Sequence, residues 1–267
     1  MKKLLVIVTL LVSSFCVAQN SNFWDGIEAF DGPTDVNPVL ASQLDFYFDK
    51  MVAPLPDSIN REIERLVERT SFNTDLRDFI LWHLLERYRH PAFMSQDQVF
   101  VFLYDRYFSQ WDIKDLHDAN RELIREKAER LRRLALFNTA PDIKVGETDL
   151  LDIESECTVL FFYDHDCDVC SQERRDLDSV CDRHPEITVI AIDMNLDTCR
   201  DASNASVESL RTHAVCPYKF HQICSQAELL AVSDAYDIEA TPLIYVLDRD
   251  KRIIGKKIRA KQIPLIL

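Results

Sequence analysis

The sequence predicts a chain in two parts: an all-α helical region, then an α/β domain whose mixed sheet is covered by helices. Three observations lead there. Residues 37–137 carry apolar side chains at helical spacing, interrupted by prolines and capping residues. From Asn138 onward, short β-branched and aromatic runs alternate with helical stretches. One of those runs, Thr158 to Tyr163, leads into two cysteines three apart, Cys167 and Cys170, which open a helix.

Composition bounds the function. With 267 residues, 47% of them hydrophobic and 10% aromatic, the chain can pack one large core or two ordinary ones. Only 4 Gly and 10 Pro argue against a fibrous or disordered protein. Lys and Arg number 31 against 45 Asp and Glu, and a net charge of −14 disfavours nucleic acid and anionic membranes as partners.

The first residues have the texture of an export signal. Met1-Lys2-Lys3 is basic, Leu4 to Phe15 is apolar or small, and Cys16-Val17-Ala18 precedes Gln19. The apolar stretch is too short to cross a bilayer, so residues 1–18 are expected to be a signal peptide cut after Ala18. Lipidation at Cys16 is the rival reading, and the bulky Phe15 before it fits that processing badly. Export, to the periplasm in a Gram-negative cell, puts the cysteines where disulfides persist. No later apolar run is long enough to span a membrane. Of 8 cysteines, removing Cys16 leaves Cys157, Cys167, Cys170, Cys181, Cys199, Cys216 and Cys224, an odd number, so at least one is free or pairs outside the chain. Cys157, at the start of a buried strand, is the expected inert thiol. Cys199, Cys216 and Cys224 share one span and could supply a structural disulfide; the pairing stays open.

Residues 19–36, with Gly26, Gly32 and Pro33, read as an extended leader. Asn37-Pro38 is a cap and a first-turn proline for a helix over Val39 to Met51. Pro54 and Pro56 break the chain, and Asp57 or Ser58 starts a second helix with Ile59, Ile63, Leu66 and Val67 on one face. Asn73 caps a third, which carries Leu76, Phe79, Ile80, Trp82, His83 and Leu84 and stops before Pro91. Ser95 to Gln98 is a capping-box pattern ahead of an aromatic helix, Val99 to Trp111. Ala119 to Leu136 is the last and longest helix. These stripes read as core, and His83 as a packed histidine.

Beyond Ala140-Pro141, strands are expected over Asp142–Val145, Thr158–Tyr163, Ile187–Ile192 and Tyr218–Ile223. Helices are expected over Ser171–Arg183, Val207–His213 and Gln226–Tyr236. Leu243–Leu247 and Arg252–Ile258 form a hairpin-like pair.

A strand that delivers Cys-x-x-Cys to a helix N-terminus is what thiol–disulfide chemistry needs, because unpaired N–H groups and the helix dipole stabilise the attacking thiolate. His165, when protonated, favours that charge at Cys167, and Asp164, Asp166 and Asp168 oppose it. Three carboxylates against one imidazole predict a reducing couple. Two other readings of the pair remain: a purely structural disulfide, or half of a zinc site. For zinc, no second Cys-x-x-Cys follows, and Cys216, His221 and Cys224 are poorly spaced.

Three stretches carry a family likeness: Ala140-Pro141-Asp142 at the domain start, Tyr163-Asp164-His165-Asp166-Cys167 before the motif, and Tyr236-Asp237-Ile238-Glu239-Ala240-Thr241-Pro242 ahead of the hairpin. Together they resemble the thioredoxin superfamily, in particular its exported TlpA-like and peroxiredoxin-like branch. With the helical region, the chain looks like Bacteroidetes exported proteins that join a helical domain of unknown function to such a module. The resemblance implies a thioredoxin fold over residues 138–267 and a helical domain over 37–137. It implies that Cys167 attacks, that Cys170 resolves the mixed disulfide, that Pro242 is cis and faces both sulfurs, and that Thr241 offers backbone hydrogen bonds to a bound chain. It also implies exchange with exported protein or small-molecule thiols and re-reduction by a membrane electron donor. No cofactor beyond a Cys167–Cys170 disulfide, and no metal, is expected. A Cys167 peroxidase is a minor variant, since the Thr/Ser-x-x-Cys context is missing. There is no Trp before Cys167, no Gly-Pro or Pro-His between the cysteines, and Arg174 and Arg175 stand where a kinking proline is common. Glu173 keeps the carboxylate three residues after Cys170 that many relatives have. The rival from another class is a redox-silent binding module with the same fold.

Overall fold

The chain folds as two units, Met1–Arg125 and Glu126–Leu267. The structure, a computed structural model, describes residues 23–25, 27, 38–197 and 216–267.

The first unit contains helices α1 (Pro38–Lys50), α2 (Pro56–Arg69), α3 (Thr74–Arg87) and α4 (Asp97–Leu103). α2 begins a residue or two before the expected Asp57 or Ser58, because Pro56 needs no N–H partner in a first turn. Asn73 caps α3, its Oδ1 accepting the Leu76 N–H at 3.0 Å. The capping box at Ser95 does not form; α4 starts behind Gln96 with no side-chain cap. Nor does α4 run to Trp111. It passes into a π turn, Tyr104–Phe108, whose extra residue brings the sequence neighbours Tyr107 and Phe108 both to the buried side. Leu44, Ile59, Ile63, Leu76, Ile80, Leu84 and Phe100 form the core. Within the leader, Phe23 and Trp24 pack on Tyr47, so this short piece is seated on α1 rather than extended. His83 is not enclosed in apolar packing. Its Nε2 lies 3.0 Å from Asp45 Oδ1, and with Phe79, Trp82, Glu86 and Lys114 it lines an open cleft of about 490 Å³.

α5 (Asp118–Arg133) contains the division between the units, and Glu126 onward belongs with the sheet. A two-stranded ribbon follows, β1 (Lys144–Val145) with β2 (Thr148–Asp149). The main sheet is built from β3 (Cys157–Tyr163), β4 (Ile187–Asp193), β5 (Tyr218–Gln222), β6 (Leu243–Leu247) and β7 (Ile253–Lys256), in the order β5-β4-β3-β6-β7. β3 runs parallel to β4, and β4 to β5, while β6 is antiparallel to both β3 and β7. Among the described residues the unit also has helices α6 (Asp168–Cys181) and α7 (Gln226–Tyr236) and two 3-10 turns, Leu150–Asp152 and the terminal Ala260–Leu265. The helix expected at Val207–His213 lies outside the described residues.

Every residue of β3 and β4 is buried, as a central parallel pair requires. Strand alternation then splits the core in two. Leu160, Phe162, Ile190, Ile192 and Tyr245 face Val232 and Tyr236 of α7 and Leu134. Val159, Phe161, Val189 and Val246 face Leu177 and Val180 of α6 and Ile263 of the terminal turn. Cys216, whose pairing the sequence left open, is bonded to Cys181 at the end of α6. Cys224 is also disulfide-bonded, and Cys199 lies outside the described residues. Cys157 is a free, buried thiol, and burial pushes it up to about 12, which keeps it inert at neutral pH.

Candidate active site at the end of the central strand

β3 ends at Tyr163, and the chain turns through Asp164, His165 and Asp166 before α6. The Asp164 side chain accepts the Asp166 N–H at 2.9 Å, and the Asp164 carbonyl accepts the Cys167 N–H at 3.2 Å. This Asx-type turn halts the strand and aims residue 167 at the helix start. Cys167 is the N-cap of α6, with φ −97° and ψ 116°, and its Sγ accepts the Cys170 N–H at 3.1 Å. A sulfur in the place usually held by a serine or aspartate oxygen takes up one orphan donor of the first turn, and more strongly as a thiolate.

The two thiols differ in setting. Cys167 is partly exposed, whereas Cys170, one turn inward, is 2% exposed. Burial pushes the Cys170 thiol up to about 11; its hydrogen bond with Cys167 adds to this, while the Asp164 backbone and the Thr241 side chain pull the other way. Cys170 is therefore a protonated thiol at neutral pH.

The register of β6 supplies the opposite wall. Leu243 pairs with Phe162, so the residues just before Leu243 lie beside the end of β3. The Thr241–Pro242 peptide is cis, both residues are half-buried, and Thr241 lies close enough to Cys170 to pull its thiol down. Cys167, Cys170 and Thr241 thus come together at the carboxyl end of β3, with Pro242 next in the chain.

Electrostatics at the corner are dominated by carboxylates. His165 Nε2 lies 3.1 Å from Asp166, and its Nδ1 lies 3.5 Å from Asp193 and 3.9 Å from Asp164. Asn195 donates to Asp164 Oδ1 at 3.0 Å. The imidazole is engaged by acids, so little of any charge it carries is left for Cys167. Asp193 and Asn195 were missed in the sequence, because what brings them here is the β3–β4 register, in which Asp193 falls opposite Tyr163, the last strand residue before the corner. Ligand atoms of Asp164, His165 and Asp166 lie within 4.8 Å of one another, and no further feature of this exposed corner points to a cation.

A buried ion cluster holds the start of the Thr241–Pro242 loop. Lys127 Nζ of α5 lies 2.8 Å from both Asp237 oxygens and 2.6 Å from Glu239 Oε1, and Lys257 Nζ lies 2.7 Å from Asp237 Oδ2. The side chains of Lys127 and Asp237 are each 2% exposed. Asp237 ends α7 in the left-handed region, φ 52°, a conformation an Asp tolerates better than most residues. Lys127 was unremarked in the sequence because lysine reads as solvent-facing. Its spacing from Ile124 and Leu131 nevertheless puts it on the apolar stripe. On the far side, Glu173 accepts hydrogen bonds from the Ala260 N–H and from Arg259, which ties α6 to the terminal turn.

No protein-family model matches the chain, and no curated protein is similar to it in sequence. Among solved structures it is similar to a thioredoxin-like protein from Bacteroides caccae ATCC 43185, with 13% identity and a TM-score of 0.68 over 91% of this chain and 88% of that one. A domain of a possible thiol-disulfide isomerase from Cytophaga hutchinsonii ATCC 33406 is 26% identical, covering 49% of this chain and 89% of its own, with a TM-score of 0.38. A thiol:disulfide interchange protein from a Bacteroides species is 17% identical over 49% of this chain and 86% of its own, with a TM-score of 0.39. The first of these likenesses, with the sheet order above, shows an α/β thioredoxin fold following a helical region.

Proposed function

We propose that the protein is a thiol–disulfide oxidoreductase working through Cys167 and Cys170. The observation that carries this reading is the placement of Cys167: a partly exposed sulfur capping α6 and accepting the Cys170 N–H, with a protonated second thiol one turn inward. Ionised Cys167 attacks one sulfur of a substrate disulfide; the S–S bond breaks and the leaving thiolate takes a proton from water. Cys170 then loses its proton and attacks Cys167 Sγ, forming the 167–170 disulfide and releasing the second thiol. Two electrons pass from the dithiol to the substrate. In this reading a substrate chain lies along the Thr241–Pro242 segment, which the β6 register brings beside the end of β3, and proline there offers no N–H of its own. We place the working site outside the cytoplasm on the strength of residues 1–18. Disulfides of exported proteins or small molecules are then the substrates, and a membrane dithiol donor restores the reduced state. Reduction of insulin by the dithiol protein tests the reading: one insulin disulfide lost per 167–170 disulfide formed supports it, and intact insulin marks a redox-silent module.

The resolving step should depend steeply on pH. Burial, the largest cause of the raised Cys170 thiol, persists when Cys167 is held in a mixed disulfide, so the ionised fraction of Cys170 grows about tenfold per pH unit over the neutral range. Decay of a Cys167 mixed disulfide is therefore expected to quicken about tenfold per unit between about pH 6 and 9. Stopped-flow measurement of leaving-thiol release checks this, and a flat profile would show that Cys170 is not the resolving group.

A further inference from the structure

We infer that Cys167 discriminates substrates by charge and reacts preferentially with disulfides that carry positive groups beside the bond, such as those flanked by lysine or arginine. This rests on the exchange reading above and adds a substrate class to it. Asp166 and Asp168 adjoin Cys167 in the chain, each with its Cα about 3.8 Å from that of the cysteine. Both are exposed, the Asp166 side chain at 75%. Asp164, whose carbonyl accepts the Cys167 N–H, adds a third carboxylate at the same corner.

The nearby cations do not cancel this field. His165 is shared among Asp164, Asp166 and Asp193, so even when protonated it leaves those acids in excess. Lys127 and Lys257 are bound to Asp237 and Glu239, so that cluster balances itself and its cations are not spent on the corner acids. Arg175 is hydrogen-bonded to Gln172, and the half-buried Arg174, two turns along α6, places its charge near Tyr163 and Tyr218; as a single cation it leaves the carboxylates of the corner in excess. Thiolate attack on a disulfide spreads one negative charge over three sulfurs, and the carboxylates oppose it. A cationic substrate relieves that repulsion and is drawn in by the same field, whereas an anionic one increases it.

The test uses the full-length dithiol protein in single turnover with three small disulfides: cystamine (cationic), bis(2-hydroxyethyl) disulfide (neutral) and dithiodiglycolate (anionic). Each rate is divided by that of 2-mercaptoethanol with the same disulfide, which removes intrinsic reactivity. The corrected cystamine-to-dithiodiglycolate ratio is expected to be about 10 or more near 0.01 M salt and to fall to about 2 or 3 near 0.5 M. The double variant D166N/D168N should lower the low-salt ratio towards one. A change in Cys167 ionisation alters all three rates together and leaves the ratio alone, so the ratio reports substrate charge only. A wild-type ratio near one, or one insensitive to salt, would overturn the inference with exchange chemistry intact. Failure of all three disulfides to oxidise the dithiol would overturn the exchange reading, and this inference with it.

Discussion

Cys167→Ser is expected to abolish insulin reduction, lowering the rate at least about 10³-fold, because a hydroxyl at neutral pH is neither ionised nor able to form the mixed disulfide. The substitution suits this purpose structurally. Serine is a favoured N-cap, so its Oγ can accept the Cys170 N–H that the sulfur now accepts, and α6 should start where it does. Unfolding in urea is expected to shift by less than about 1 kcal/mol, which separates a chemical loss from a structural one. Cys157 cannot substitute: it is buried at the start of β3 and its thiol is pushed up to about 12. Activity retained in this variant would place the chemistry elsewhere.

The largest effect on stability is expected at Lys127. Lys127→Met removes a cation that contacts Asp237 through both oxygens and Glu239 through one. Breaking a buried pair from one side costs about 3–5 kcal/mol, since the partner charge is stranded. Lys257 stays within 2.7 Å of Asp237, which argues for the lower end, about 3 kcal/mol, measured by urea unfolding at neutral pH. The acid dependence gives a second readout. Burial alone would raise Asp237, but Lys257 and Lys127 outweigh it and hold the carboxyl below its ordinary value. A carboxylate depressed in the folded state contributes stability above its unfolded pKa, near 4, and loses it as the pH falls through the folded value. Wild type should therefore weaken below about pH 4, and Lys127→Met should lose less on the same descent. Asp237→Asn is the companion variant, because asparagine also tolerates the left-handed backbone and so removes charge alone. An unchanged unfolding midpoint in Lys127→Met would mean the cluster is energetically neutral.

Much of the α/β unit was legible because its signals are local. The apolar runs that became β3 and β4 are buried on both faces, and nothing short of a central sheet position accommodates them. Gln226–Tyr236 matched its helix to the residue, with Ser225 accepting the Glu228 N–H as a cap. Failures arose where two local rules competed or where a contact spans the chain. Ser95 to Gln98 has a capping box's residues, yet α4 begins without one, and an aromatic stripe that reads as one helix contains a π turn at Tyr104. Cys216 found Cys181 across 35 residues, a pairing that spacing alone left open. At the site, the cysteines and Thr241-Pro242 could be named from their order, whereas Asp193, Asn195 and Lys127 could not. Their roles come from strand register and burial, which bring residues about 30 and more than 100 positions away from their site partners into contact.

The most direct measurement is trapping with Cys170→Ser, followed by peptide mapping without reductant. With the second thiol gone, a substrate disulfide opened by residue 167 should stay attached there, and one linked peptide containing Cys167 should accumulate in proportion to enzyme. Absence of that peptide, or its appearance at Cys157 instead, would contradict the assignment of the attacking sulfur.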